Sequence, residues 1–277
     1  MYLRNVLLFV SVVLVGLLIS LYFQSGQEVQ TVNWDQYKTA TTSDERSLSL
    51  EDLNRKLEPL SLEEIIREIW EKNRLAGEKT RIMEIGIRNG QLLMTLKKKF
   101  PEIEFYGINR NKSHDFYRRE SFIQTALRYD IMTQSELENI DLPYVVFQDL
   151  DFGQDIPYDD NKFDLIFSQD VLRLIKYKFE LLSEIMRILK PSGISIHTDV
   201  SNIPIYSRGV LMEMKDAFKE MRKHHFNISY SEENRILRFK KEGEIIKFPF
   251  TPHQEIPEII NDLEGFRRSE MGYNINY

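Results

Sequence analysis

Cysteine is absent from the 277 residues of the sequence. This absence excludes disulfides, thiolate catalysis and cysteine-based zinc sites, but it leaves the compartment open because a secreted chain can also lack cysteine. An excess of positive charge is missing as well, since the formal net charge is −6 and the sequence pI is near 5.6. A protein that coats nucleic acid presents a basic surface, so we expect no nucleic-acid partner. The length suits one domain of catalytic size with attachments.

Long apolar runs are scarce, and the one at Val6–Phe23 carries no charge. It is just long enough to span a bilayer, Arg4 precedes it, and Tyr22 and Phe23 lie where aromatic residues meet a membrane surface. A cleaved signal peptide is the alternative, but no convincing small-x-small cleavage site follows. We therefore predict a single-pass membrane anchor over residues 1–25. By the positive-inside rule, Arg4 places the rest of the chain on the lumenal or extracytoplasmic side.

A polar stretch rich in Thr, Ser and Gln follows the anchor, and we predict a linker over residues 26–57. The rest of the chain, residues 58–277, is predicted to be the functional domain. Its first helix is indicated by Ser61 and Glu64, which have the form of a capping box, and by apolar residues at helical spacing after them. Gly77 is predicted to end this helix.

The stretch Arg81–Gly90 organises the domain, because a short apolar strand runs into a turn with two glycines and then into a helix. This order is typical of the first unit of a nucleotide-binding α/β domain. Gly86 and Gly90 would turn the chain sharply and let backbone N–H groups approach a ligand at the helix N-terminus. Alone the signal is weak, since many α/β proteins have such a turn and bind nothing there.

Four further strands are predicted with helices between them, which indicates a Rossmann-like, doubly wound and mostly parallel sheet. The second strand ends at Asn109, where folds of this type place a polar residue that holds ribose hydroxyls. The later strands are predicted to end at Phe147, Ser168 and His197.

Four segments together resemble class I S-adenosylmethionine-dependent methyltransferases, especially the type 11 methyltransferase-domain group. The last segment is the most specific of the four, and the resemblance covers about Glu63 to Thr198. The segments are Glu84-Ile-Gly86 with Gly90, Gly107-Ile-Asn109, Gln148-Asp149 ahead of Ile156-Pro157, and Phe163–Ser168 with Glu184–Gly193.

The resemblance implies an enzyme that takes a methyl group from S-adenosylmethionine. Arg88 stands where the family has a middle glycine, and we hypothesise that its guanidinium pairs with the methionine carboxylate. Asn109 replaces an acid, but an amide can still hold the ribose hydroxyls. The other implied roles are Gly86 and Gly90 around the methionine part, Glu84 beneath that loop, Asp149 at the adenine amino group and Ser168 near the sulfonium.

The acceptor implied by this interpretation is a small molecule, or a glycan or lipid group at a surface. The alternative is a membrane-anchored scaffold that keeps the fold without the chemistry, which the departures at Arg88 and Asn109 motivate. A nicotinamide dehydrogenase is disfavoured, because the Lys190–Gly193 turn is no part of that pattern.

Two predicted features leave alternatives open. His197 and Asp199 follow the fifth strand and are candidate general bases, although we favour a structural strand-end and turn residue respectively. A β-hairpin is predicted over residues 234–250, either as a lid that carries Phe248 and Phe250 or as an edge hairpin. Paired acids such as Asp159-Asp160 lie in predicted loops, where solvation is expected, so no metal site is predicted.

Overall fold

The computed structural model describes residues 49–109, 119–147, 156–172, 178–200, 205–207, 210–212, 227–231 and 233–243. The predicted anchor, most of the predicted linker, Asp149 and the second arm of the predicted hairpin lie outside these ranges. Within them, no helix combines the length and the apolar character that crossing a membrane requires.

The described elements alternate between helices and strands over most of the domain. The helices are α1 (Leu50–Leu57), α2 (Leu62–Ala76), α3 (Gln91–Lys99), α4 (Arg119–Arg128), α5 (Gln134–Glu138) and α6 (Lys178–Ile188). The strands are β1 (Arg81–Ile85), β2 (Glu104–Asn109), β3 (Tyr144–Phe147), β4 (Phe163–Gln169), β5 (Leu189–Thr198), β6 (Ile205–Ser207), β7 (Val210–Met212), β8 (Asn227–Ser231) and β9 (Ile236–Lys240).

Seven of these strands form one sheet in the order β3-β2-β1-β4-β5-β9-β8, and β6 with β7 forms a separate antiparallel pair. The first five strands of the order are parallel, whereas β9 is antiparallel to both of its neighbours. The chain order reverses between β1 and β4, which is the switch point where such sheets bind ligands. The predicted Rossmann-like doubly wound sheet is confirmed in this part of the chain.

The core lies on the central strands, which are apolar and have a neighbouring strand on each side. Strand β4 is buried along its whole length. Apolar side chains of β1, β4, α6 and β9 form one cluster, with Met83, Ile166, Leu182 and Leu237 fully buried. This packing fixes the position of the strand ends, and therefore of the residues that follow them.

The linker prediction is wrong for residues 50–57, which form helix α1. The hydroxyl of Ser49 caps the helix by accepting a hydrogen bond from the Asp52 backbone N–H. Leu50, Leu53 and Leu57 recur at helical spacing and are buried. An apolar stripe with an N-cap is a helix signal, but the polar composition of the surrounding stretch concealed it.

The hairpin prediction over residues 234–250 is wrong in its pairing. Strand β9 pairs with β5 along one edge and with β8 along the other. Both edges of β9 are therefore occupied. The hairpin partner of β9 is the preceding strand β8, and β9 is an inner strand of the main sheet.

The amino end of the parallel strands is held by a network of charged side chains. The Arg187 guanidinium bonds to the carboxylates of Glu184 and Asp160 and to the backbone carbonyls of Ile156 and Tyr158. These contacts fix the loop that leads into β4. Glu184–Gly193, one half of the most specific part of the family resemblance, therefore serves the architecture at this end.

Two lysines complete the network at the amino end. Lys190 pairs with Asp164 at 2.7 Å, and the second oxygen of Asp164 accepts the backbone N–H of Arg81. Lys241 is fully buried, and its ammonium donates to Asn161 Oδ1 and to the carbonyl of Leu189. Burial lowers the pKa of Lys241, but the acceptors around it satisfy its donors.

Candidate cofactor site

Three neighbouring strands end together at the switch point. Ile85 of β1 lies opposite Ile108 of β2 on one side and Ser168 of β4 on the other. The residues that follow these positions therefore meet at one edge of the sheet, and Asn109 is the next residue on β2. The structure thus brings the predicted residues of the first, second and fourth strands to one crevice.

Glu84 is the buried acid of this crevice. Its side chain is 4% exposed, and Oε2 has no hydrogen-bond partner among the residues that the structure describes. Burial raises the pKa of Glu84 to about 8, and the positive charge of Arg88 opposes this shift in part. An unsatisfied buried acceptor is costly for a folded protein, so its presence here indicates a place for a polar ligand group.

The glycine turn is needed for packing inside the protein. Gly86 has φ +80°, and a Cβ there would lie 2.3 Å from Val171 Cγ2. Gly90 has φ +76°, and a Cβ there would lie 2.4 Å from Phe122 Cε1. Both positions therefore exclude a side chain through local contacts, a reason for glycine that the sequence pattern does not reveal.

The backbone donors of the turn are used within the protein. Gly86 N donates to Ile108 O at 2.8 Å, and Gly90 N donates to Ile87 O at 2.7 Å. Gln91 N donates to Asn89 Oδ1 at 3.1 Å. These three N–H groups therefore have acceptors within the protein, and the approach of other backbone N–H groups of the turn to a ligand stays a prediction.

Arg88 and Asp170 bridge the crevice. Arg88 Nη2 lies 3.3 Å from Asp170 Oδ2, and the two side chains are 26% and 22% exposed. Arg88 follows β1 and Asp170 follows β4, so the pair joins the two loops of the switch point. Asp170 was not predicted from the sequence, although its place directly after the fourth strand was a signal that could have found it.

Of the two predicted nucleoside contacts, Asn109 and Asp149, the structure describes only Asn109. Asn109 is the last residue of β2 and is partly exposed at the crevice edge. It also lies beside Phe147 in the register of β2 and β3. Asp149 lies outside the described residues, so its role at the adenine stays a prediction.

Ser168 faces the protein interior. Its hydroxyl lies 2.7 Å from His197 Nδ1, and the opposite ring nitrogen of His197 lies 2.7 Å from Ser195 Oγ. Ser168 is 2% exposed, whereas Ser195 and His197 are fully buried. The Ser168 hydroxyl is therefore engaged by His197. The predicted place of Ser168 near a bound sulfonium stays a prediction.

His197 has a structural position. Burial lowers its pKa to about 3, so the imidazole is neutral and a weak base at pH 7. A neutral imidazole has one donor and one acceptor nitrogen, which suits its two hydroxyl neighbours. The structure favours the strand-end interpretation over the general-base interpretation of this residue.

Asp199 is held by a lysine from the first described helix. Lys56 Nζ lies 2.9 Å and 2.7 Å from the two carboxylate oxygens of Asp199. Asp199 has φ +57°, a conformation that Asp adopts more readily than most residues in turns. These observations favour the turn-residue interpretation. No local sequence signal could have indicated Lys56, which lies 143 residues away in the chain.

One of the paired loop acids, Asp159-Asp160, has a partner in the protein. Asp160 pairs with Arg187 at 2.8 Å. Across the described ranges, no group of three or more His, Asp or Glu side chains lies close enough together to hold a metal ion.

A mostly parallel sheet with this strand order and a glycine turn after β1 defines a Rossmann-like class of protein. A family model described as a methyltransferase domain matches residues 76–248, which is more than half of the chain. The chain belongs to this methyltransferase-domain family. The resemblance to class I methyltransferases that the sequence motifs indicated is thereby confirmed.

Similar proteins share the domain but differ in length. The highly reducing polyketide synthase ctvA of Aspergillus terreus is 26% identical over 145 residues, which are 47% of this chain and 6% of that protein. This chain therefore spans only a small part of the length of that relative.

Several solved structures also resemble the chain. DszA carbon methyltransferase is 17% identical, with 67% of this chain and 54% of that chain covered and a TM-score of 0.44. CurJ carbon methyltransferase is 14% identical, with 66% and 53% covered and a TM-score of 0.43. Haemonchus contortus phosphoethanolamine N-methyltransferase 2, solved with S-adenosylhomocysteine, is 16% identical, with 63% and 53% covered and a TM-score of 0.40.

Proposed function

We propose that the chain transfers a methyl group from S-adenosylmethionine to a small molecule or to a glycan or lipid group. The observation that carries this proposal is the buried Oε2 of Glu84, which lacks a partner among the described residues and lies at the switch point. A ligand with a polar group above the β1 turn would satisfy this oxygen. The family membership of the chain makes S-adenosylmethionine the ligand that we expect.

The residues of the crevice fit the parts of that cofactor. Asn109 at the tip of β2 would hold the ribose hydroxyls through its amide, and Glu84 and Arg88 would lie at the methionine end. When bound, the cofactor supplies a methyl group already activated by the positive sulfur. The protein then has to align the acceptor with that methyl group and exclude water from the crevice.

The two candidate general bases, His197 and Asp199, are both engaged within the protein. His197 is fully buried between two serine hydroxyls, and Asp199 is paired with Lys56. His197 lacks the accessibility and basicity of a poised general base, and the Asp199 carboxylate is engaged by the Lys56 ammonium. This favours an acceptor whose nucleophilic atom reacts without proton removal by these residues.

The apolar run at Val6–Phe23 supports a further part of the proposal, a single-pass anchor with the catalytic domain on the lumenal or extracytoplasmic side. Alkaline extraction of membranes that contain the chain tests the anchor, and protease treatment of sealed vesicles tests the side. Release by alkali would contradict the anchor.

Calorimetric titration of S-adenosylhomocysteine into the purified chain tests cofactor binding. We expect saturable binding at micromolar strength. In a titration above pH 8, where Glu84 is ionised, Glu84→Gln should weaken this binding about tenfold or more, because a charged acceptor is replaced by a neutral amide. Glu104→Gln is the matched control at the opposite end of the sheet, where Glu104 pairs with Arg81. If the folded chain does not bind, the methyltransferase proposal is wrong and an inactive scaffold is the better interpretation.

A further inference from the structure

A second pocket lies between the end of helix α1 and the hairpin of β8 and β9, with a volume of about 220 Å³. Strand β5 separates β9 from β4, so this pocket is apart from the cofactor crevice. It is smaller than the roughly 300–1,000 Å³ of sites for drug-sized ligands, which suits a smaller ligand. Its polar lining residues are Glu58, Ser229, Tyr230, Ser231, Asn234 and Arg238.

The alternation of side chains along β9 places Arg238 on the pocket side of the sheet. Leu237 and Phe239 belong to the main core cluster, and successive residues of a strand face opposite sides. Arg238 therefore faces away from that cluster, beside Ser229 in the register of β8 and β9. Its Nη2 donates to Leu57 O at 2.9 Å, which joins the strand to the last residue of α1.

The Arg238 guanidinium has more donors than the protein uses. Among the residues that the structure describes, its one hydrogen bond goes to Leu57 O, and its Nε is shielded from solvent without a partner. Other cations of the sheet differ, since Arg81 pairs with Glu104 at 2.9 Å and Lys190 with Asp164 at 2.7 Å. An unsatisfied buried donor is costly, and a guanidinium is suited to a planar oxyanion, so Arg238 indicates a place for an anionic ligand group.

Glu58 brings the opposite charge to the same pocket. It is exposed directly after α1, and in the described part of the chain it has neither a hydrogen bond nor an ion pair. Glu58 and Arg238 thus face one pocket without neutralising each other. A cation and an anion placed in this way are the complement of a ligand that carries both charges.

We propose that this pocket binds a small zwitterion with one carboxylate and one ammonium group, as in an amino acid. Arg238 binds the carboxylate and Glu58 binds the ammonium. The hydroxyls of Ser229 and Ser231 and the amide of Asn234 supply further hydrogen bonds. The site goes beyond the proposed function and does not depend on it.

The test is a titration of the purified full chain, followed by saturation-transfer NMR of the ligand. Glycine, β-alanine and 4-aminobutyrate are the zwitterions, because their increasing length measures the spacing of the two charges. Acetate, propionate and butyrate are the matched monoanions.

The site variants are Arg238→Gln and Glu58→Gln. Arg235→Gln and Glu233→Gln are the matched controls, because these exposed residues belong to the same hairpin and do not line the pocket. Circular dichroism verifies that each variant is folded.

We expect at least one zwitterion to bind wild type at about millimolar strength or better, and about tenfold more tightly than its monoanion, since a charge-assisted contact is worth roughly a factor of ten. Arg238→Gln should weaken the binding of both kinds of ligand about tenfold or more. Glu58→Gln should lower the affinity for the zwitterion alone, to that for the monoanion. The controls should stay within about twofold of wild type. Should Arg238→Gln fail to fold, Glu58→Gln decides, because that residue is exposed.

Three results would overturn the inference. The first is a folded wild type that binds none of the three zwitterions, and the second is a zwitterion affinity that neither site variant changes. The third is displacement of the zwitterion by S-adenosylhomocysteine with no effect of Arg238→Gln, which would place the ligand in the crevice. The proposed function stands or falls separately, by the titration of S-adenosylhomocysteine.

Discussion

Charged and ionisable residues at the two ends of the parallel sheet differ in how fully the protein supplies their hydrogen-bond partners. At the amino end, Arg187, Lys190 and Lys241 donate to carboxylates, to the amide oxygen of Asn161 and to backbone carbonyls of the protein itself. At the carboxyl end, Glu84 Oε2 has no partner among the described residues, and the Arg88–Asp170 pair is long at 3.3 Å. Satisfied polar groups maintain a fold, whereas an unsatisfied buried one indicates a place where a ligand can bind.

A motif that identifies the family specifically need not contain the residues that face the crevice. The most specific match to the family combines Phe163–Ser168 with Glu184–Gly193, and the structure uses the second of these segments to hold the amino end of the sheet. The weaker match around the β1 turn contains the residues that face the crevice. A sequence motif can thus be diagnostic of a family because the fold requires it, without any contact to the cofactor.

The largest effect is expected from breaking the amino-end network. Arg187→Ala should lower the free energy of unfolding by about 3–5 kcal/mol, because it leaves Glu184, Asp160 and two backbone carbonyls without their donor. Urea denaturation measures this loss. Arg67→Ala is the control, since its exposed pair with Glu63 should be worth about 0.5 kcal/mol. Equal losses for the two variants would contradict the account.

The next effect concerns the contact between the two crevice loops. Gly86→Ala should lower the free energy of unfolding by about 3 kcal/mol, because the methyl group collides with the stiff side chain of Val171 at a positive φ. Gly77→Ala has a similar φ of +72° with nothing within 4 Å, and it should cost only about 1 kcal/mol.

A double variant isolates the collision in this comparison. Thermal or urea unfolding of Gly86→Ala together with Val171→Ala should recover part of the loss, because the colliding Cγ2 is removed. If Gly86→Ala and Gly77→Ala cost the same, the backbone conformation alone requires glycine and the close packing of the loops is wrong.

A pH-dependent effect is expected at Glu84. Its pKa is about 8 in the folded protein and near the ordinary 4.5 when unfolded, so the folded state holds the proton that the unfolded state loses. Stability from this group is present below pH 4.5 and is lost as the pH rises toward 8. Glu84→Gln should therefore gain about 2–3 kcal/mol relative to wild type between pH 5 and pH 7 in urea unfolding. A constant difference would contradict the raised pKa.

The smallest effect has the opposite sign and concerns His197. Its pKa falls from the ordinary 6.5 to about 3 on folding, so stability from this group is present above pH 6.5 and is lost as the pH falls toward 3. His197→Gln keeps polar atoms near Ser168 and Ser195 but cannot titrate. The stability advantage of wild type over this variant should shrink by about 2 kcal/mol between pH 7 and pH 5. An advantage that grows in acid would contradict the neutral buried imidazole.

Local patterns predicted much of the fold. The third strand occupies Tyr144–Phe147 as predicted, and Ser61 and Glu64 form the predicted capping box at the start of α2. Gly77 ends that helix in a left-handed conformation. In each case the signal lies within a few residues of the element, where side-chain period and hydrogen bonding to the near backbone decide the structure.

Long-range partners could not be predicted in the same way. Arg88 meets Asp170 across 82 residues, and Lys56 meets Asp199 across 143. Strand β9 joins β5 and β8, because an inner place in the sheet buries Leu237 and Phe239. These contacts depend on the assembled sheet, so composition and periodicity do not contain them.

Hydrogen–deuterium exchange of the full chain, with and without S-adenosylhomocysteine, tests most directly whether the carboxyl end of the sheet is the cofactor site. The account predicts ligand protection in peptides that cover residues 84–90 and 168–172, and unchanged exchange in those that cover residues 187–193 and 236–243. Protection confined to the amino-end peptides, with binding established by calorimetry, would contradict the account.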